Sequence, residues 1–117
     1  MSDKRKDPRK KLIRFTPVYT LRPRSLLGYL EDLTIHGARV VGDTPLEAGE
    51  RIMLSIEFPA KTPDIPPGPF VIAARVARIH TDEGGFANLG LEFADATEEQ
   101  VNTLEAVIHR YEFRRVV

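Results

Sequence analysis

The apolar residues of this chain change period once. From about residue 12 to residue 93 they fall in short runs of strand length, and after residue 97 they recur at helical spacing. A two-residue repeat buries one face of a strand, whereas steps of three and four bury one stripe of a helix. The chain is therefore expected to fold as several strands followed by one helix. Between Arg51 and Phe58, Ile52, Leu54, Ile56 and Phe58 alternate with Met53, Ser55 and Glu57, and Leu89, Leu91 and Phe93 alternate in the same way. The helical stripe is Val101, Leu104, Val107, Ile108 and Tyr111. Thr97-Glu-Glu-Gln100 fits a capping box, which predicts a helix of about 97–113 with Glu98 as its first residue.

The other segments complete the pattern. Leu12 to Leu21 is strand-like and carries Ile13, Phe15, Val18 and Tyr19, with Pro17 pointing to an edge or a bulge. Arg22-Pro-Arg24-Ser reads as a turn into a second strand, Leu26 to Leu33, on which Leu27, Tyr29 and Leu33 are expected to share one side. Gly37 opens a short third strand, Ala38 to Val41. Gly42-Asp-Thr-Pro45 and Ala48-Gly49 punctuate the connection to the fourth. Pro59, Pro63, Pro66, Pro67 and Pro69 exclude regular ladder pairing before the fifth strand, Phe70 to Ile79. Asp82-Glu-Gly-Gly85 is a hairpin turn into the sixth. Six strands and one helix in 117 residues argue a single, mainly β domain. The expected architecture is a small six-stranded antiparallel β-barrel over residues 12–117, with the C-terminal helix covering one mouth.

Net charge is zero but unevenly placed. Residues 1–14 hold seven basic and two acidic side chains, +5, and the remainder holds ten basic and fifteen acidic, −5. Residues 1–11 are polar and charged, with little to bury, and are expected to form a flexible basic arm. Such an arm suits an anionic partner, although a solvated terminus has the same composition. The chain has no cysteine, which excludes a disulfide framework and a thiolate site. It has no apolar run near the ~18 residues of a membrane span, and no apolar segment follows the basic N-terminus as in a secretory signal. A cytoplasmic location is expected. No nucleophile–base pair or phosphate-cradling glycine loop suggests an enzyme. His80 and His109 lack nearby histidine or cysteine partners, so no metal site is expected.

Two short motifs carry chemistry. Arg5 and Arg9 form R-x-x-x-R on the arm, and Asp32-Leu-Thr-Ile-His-Gly37 forms D-x-[S/T]-x-x-G. The second also suits an ordinary turn in which the Asp and Thr side chains cap local N–H groups. In this order, before a strand-rich segment and one helix, the two motifs resemble the PilZ domain family. Pro45-Leu-Glu-Ala-Gly49 and Gly90-Leu-Glu-Phe93 are similar to that family's link into its next strand and its late G-x-x-F strand.

The resemblance implies a bacterial second-messenger sensor that binds cyclic di-GMP and needs no other cofactor. The ligand offers guanine O6 and N7 as paired acceptors, and two phosphodiester anions. Both match the planar fork of an arginine better than a lysine. Arg5 and Arg9 are therefore the expected cationic half of the site. Asp32 is expected to accept from guanine N–H groups, and Thr34, where the family more often has serine, to donate to phosphate or accept from the base. Gly37 is expected to allow a positive φ and a close backbone approach. Lys4, Lys6 and His36 are secondary candidates. Lys4 stands where the family distinguishes one bound ligand from a stacked pair, and a lysine, lacking a plane, favours one. His36 suits a surface turn as well as base stacking. Arg75 and Arg78 read as lying on opposite faces of one strand, so at least one points away from the core and is available to line the groove, and the sequence does not decide whether either does.

The implied mechanism is a fixed barrel half-site and an arm that orders on binding and signals to a protein partner. Two other classes stay open. A PilZ-like adaptor would capture its partner without nucleotide. A nucleic-acid-binding small barrel would need a basic face with interleaved aromatics, but the body is acidic and has no tryptophan.

Overall fold

The structure, a computed structural model, describes residues 16–43, 46–58 and 65–116, the last six by their backbone. Six strands precede one helix: β1 (Pro17–Thr20), β2 (Ser25–Leu33), β3 (Gly37–Gly42), β4 (Arg51–Ile56), β5 (Phe70–Thr81), β6 (Ala87–Phe93) and α1 (Glu98–Val116). All strand pairs are antiparallel, and the sheet closes as β1-β2-β3-β6-β5-β4. The expected arm, residues 1–11, and Leu12 to Phe15 lie outside the described residues.

The barrel interior is one apolar cluster. Val18, Leu30, Val40, Leu54, Ile72 and Leu89 each contribute a buried side chain from a different strand. Leu104 and Val107 of α1 belong to the same cluster, so the helical stripe serves to complete the barrel core. The capping box is reciprocal. Gln100 N–H donates to Thr97 Oγ1 at 3.1 Å and Thr97 N–H to Gln100 Oε1 at 2.8 Å. The Gln100 amide also donates to the Val71 carbonyl at 2.9 Å, tying the first helical turn to β5. From the proline-rich connection, Ile65 reaches into the core.

Three bulges set which residues face out. In β2, Leu27 is an extra residue against β1, and Glu31 is an extra residue against β3. Each bulge flips the two-residue alternation. Leu27, Leu30 and Leu33 are therefore buried at intervals of three, and Tyr29 is 45% exposed rather than sharing their side. In β5, Ala77 is the extra residue against β6. Arg75 and Arg78 consequently both face outward, where a straight strand would have put them on opposite faces. Pro17 is not on an edge, because the closed sheet has none. It is the first residue of β1, where a missing N–H is tolerated, and the bulge opposite lies one residue on. Ser55 is buried despite its expected outward position, flanked in register by Tyr19 and Val71. β4 ends at Ile56, and Phe58 packs beyond it on Phe70 with ring centroids 5.9 Å apart.

Candidate functional site

The Asp32–Gly37 motif is the turn that joins β2 to β3, and its hydroxyl is the hub. Thr34 Oγ1 accepts from the backbone N–H of His36 at 3.1 Å and of Gly37 at 3.2 Å. Thr34 N–H donates to the Gly37 carbonyl at 2.9 Å, and the hydroxyl donates to the same oxygen at 3.4 Å. Asp32 Oδ1 accepts from Leu33 N–H at 2.9 Å. The turn reading of this sequence is thus realised in full. It narrows the chemistry of Thr34: both lone pairs are engaged, so toward a ligand the hydroxyl can only donate, and then only by exchanging its long 3.4 Å bond to the Gly37 carbonyl for one to the ligand.

Gly37 is required for one of the two reasons expected, close backbone approach, and not for the other. Its φ is not positive. Instead, a Cβ there would lie 2.1 Å from the Leu91 carbonyl oxygen of β6. The glycine lets β3 leave the turn in close contact with β6, and Phe93 N–H donates to the His36 carbonyl at 2.8 Å to hold the turn from the other side. The motif is therefore fixed by three strands.

An open recess of about 330 Å³ lies against this turn. Asp32, Thr34, His36 and Gly37 line it together with Arg39, Arg78 and Glu92. The bulge at Glu31 places Asp32 opposite Arg39. Arg39 has Glu31 at 3.9 Å, and Glu92 accepts from Arg75 Nη2 at 2.6 Å. Arg78 lies over its register neighbour Gly90, where a Cβ would come within 2.9 Å of the arginine Cγ. The glycine leaves room for the Arg78 stem to cross the sheet surface into the recess. A second recess, of about 620 Å³, lies toward the other end of β2 and β3 between Leu26, Tyr29, Val41 and Phe86. It is the larger, but its wall is mostly apolar. Its charged lining residues, Glu31 and Asp43, are both anionic, so the cationic groups able to meet an anionic ligand are in the smaller one.

Of the candidates from sequence, Asp32, Thr34, His36 and Gly37 are brought together. Arg5, Arg9, Lys4 and Lys6 lie outside the described residues. Sequence reasoning left Arg78 undecided and missed Arg39 and Glu92. The isolated glycine at 90 was the available signal for Arg78, since a glycine inside a strand marks close approach. Nothing in the sequence marks the bulge at Ala77.

A sequence model of the PilZ domain matches residues 3–110. The chain belongs to the PilZ domain family. No curated protein sequence matches it. Solved structures agree in fold. The Bacillus subtilis inhibitor of motility MotI/DgrA superposes with a TM-score of 0.69 at 19% identity, over 84% of this chain and 46% of that one. The PilZ domain of Escherichia coli YcgR with c-di-GMP gives 0.63 at 18%, over 85% and 83%. Escherichia coli YcgR in complex with c-di-GMP gives 0.64 at 20%, over 83% and 42%. This PilZ chain thus spans about half the length of MotI/DgrA, and all but a small part of the isolated YcgR domain. PilZ domains are binding and adaptor domains. Among the described residues, no helix is long and apolar enough to cross a membrane.

Proposed function

We propose that this PilZ domain binds cyclic di-GMP in the recess at Asp32–Gly37, with Arg5 and Arg9 completing the site. The observation that carries the reading is that Asp32, Thr34 and Gly37 stand together in one braced turn lining a recess that also holds Arg39 and Arg78. Asp32 accepts from a guanine N–H edge, Thr34 donates to a phosphate oxygen in place of its long bond to the Gly37 carbonyl, and arginine forks take phosphate or the guanine O6/N7 pair. Lys4, Lys6 and His36 are secondary contacts.

The attachment of the arm supports this assignment. The described chain begins at Thr16, whose carbonyl accepts from Leu30 N–H at 2.9 Å, two residues before Asp32. Arg9 lies seven Cα–Cα steps from Thr16 (16 − 9), a reach of at most ~25 Å. Both arginines are thus tethered within reach of the recess. Fixing each arm residue costs about 1–2 kcal/mol, so several charge-assisted contacts are needed to offset the ordering. The ordered arm then presents, or hides, a surface read by a protein partner. The ligand is an intracellular messenger, so the reading places the domain in the cytoplasm.

Isothermal titration of the full chain with cyclic di-GMP, beside an Arg5→Ala/Arg9→Ala variant, is the test. Micromolar or tighter binding that the variant loses is expected. Absence of heat and of amide protection at saturating ligand would sink the reading. Ligand-independent capture of a partner would then favour the adaptor role.

A further inference from the structure

One row of registered residues crosses four strands and ends at the motif. Arg51 on β4 lies opposite Arg75 on β5, Arg75 opposite Glu92 on β6, and Glu92 opposite Gly37 on β3. The row reads cation, cation, anion, glycine. Like charges directly opposite repel, and unlike charges attract. Arg51 therefore disfavours a turn of the Arg75 guanidinium toward β4, and Glu92 draws it toward β6. The outcome is the 2.6 Å contact from Arg75 Nη2 to Glu92 Oε1. Arg39 has Glu31 at 3.9 Å.

Glu92 lines the recess, whereas Arg75 stands one strand further from it. An uncompensated carboxylate at that wall would oppose any phosphate entering. A guanidinium locked on it cancels most of the repulsion and fixes where the carboxylate points.

We infer that Arg75 is a positioning residue that sets the recess's affinity for a phosphodiester by neutralising Glu92, with Arg51 keeping it turned that way. The inference rests on the cyclic di-GMP reading. It assigns Arg75 an effect on the ligand without contact. Surface ion pairs add little to stability, so this pair matters through the field in the recess rather than through folding.

The wild-type chain, Arg75→Met, Glu92→Gln and the double variant, each with the N-terminal arm present, are titrated with cyclic di-GMP at about 0.05 M and about 0.5 M salt, with thermal unfolding of each. Arg75→Met is expected to bind about fivefold more weakly at low salt, as for one charge close by in a water-like medium. The loss shrinks at high salt. Glu92→Gln binds as tightly as wild type or more so, the double variant recovers the wild-type constant, and all four melt together. Unchanged binding by Arg75→Met in a wild type that does bind overturns the inference and leaves the ligand reading intact. An equal loss from Arg75→Met with or without Glu92 also overturns it, because the arginine would then act directly or through the fold. Failure of the wild type to bind overturns both.

Discussion

Replacing Gly37 by alanine tests whether the turn is held by close strand approach. A strand glycine with open space beside it is normally improved by alanine, by about 0.5–1 kcal/mol. Here the added Cβ would sit 2.1 Å from the Leu91 carbonyl oxygen, 3.2 Å from its carbon and 3.3 Å from Glu92 Cα. All three are backbone atoms and cannot swing aside. Bringing the first contact to 3.0 Å requires β3 and β6 to part by 3.0 − 2.1 = 0.9 Å. The 2.8 Å bond from Phe93 N–H to the His36 carbonyl would stretch beyond hydrogen-bonding range, and the Thr34 turn would lose its brace. One or two hydrogen bonds at about 1 kcal/mol each, plus overpacking, give a net loss of about 2–4 kcal/mol. Urea unfolding followed by circular dichroism reads this as a midpoint lowered by about 1–2 M. Gly90→Ala is the control. Its Cβ would crowd the Arg78 stem at 2.9 Å, which can move, while the Arg78 carbonyl oxygen at 3.8 Å is at ordinary contact distance. That variant should stay within about 1 kcal/mol of wild type while displacing Arg78 from the recess. A Gly37→Ala protein as stable as wild type, or more stable, would refute the reasoning.

Leu104→Ala empties a fully buried position where α1 meets the barrel, and should cost about 2–5 kcal/mol in thermal unfolding. Thr97→Ala removes one half of the capping box and should cost about 1 kcal/mol. Asp82 organises the β5–β6 turn: its Oδ1 accepts from Phe86 N–H at 3.0 Å and Gly84 N–H at 2.9 Å. The Phe86 bond, chiefly, holds its carboxyl below the ordinary 3.8. A depressed carboxylate stabilises the fold at pH above the unfolded value and loses that contribution as pH falls through the folded one. The Gly84 and Phe86 amide resonances should therefore titrate with a midpoint below 3.8, and Asp82→Asn should abolish the step.

The strand count, the helix start at Glu98 and the turn at Asp82 were legible because each rests on local chemistry. Alternation, a capping box and an Asp-Glu-Gly-Gly turn act within a few residues. What the sequence hid was phase. Tyr29 was grouped with the buried leucines, and Arg75 and Arg78 were put on opposite faces, because bulges at Leu27, Glu31 and Ala77 depend on how the partner strand curves, which no single segment encodes. The recess was half legible for the same reason. Asp32, Thr34 and Gly37 sit in one contiguous motif, whereas Arg78 and Glu92 reach it only through the β5–β6 and β3–β6 registers. The role of Gly37 was only half legible because close approach and positive φ both demand glycine, and a sequence does not distinguish them.

The closed ring has two seams that do not follow chain order, β1 with β4 and β3 with β6. During synthesis, β1, β2 and β3 emerge first and can pair with one another at once. Their two outer strands then wait, unpaired on one side, for residues that have not yet been made. The second seam is also the one that assembles the recess, since Glu92 and Gly90 arrive on β6. The first half of the chain therefore carries the motif long before it has a recess. The recess is completed only once β6 has emerged, in the same event that removes the last sticky edge.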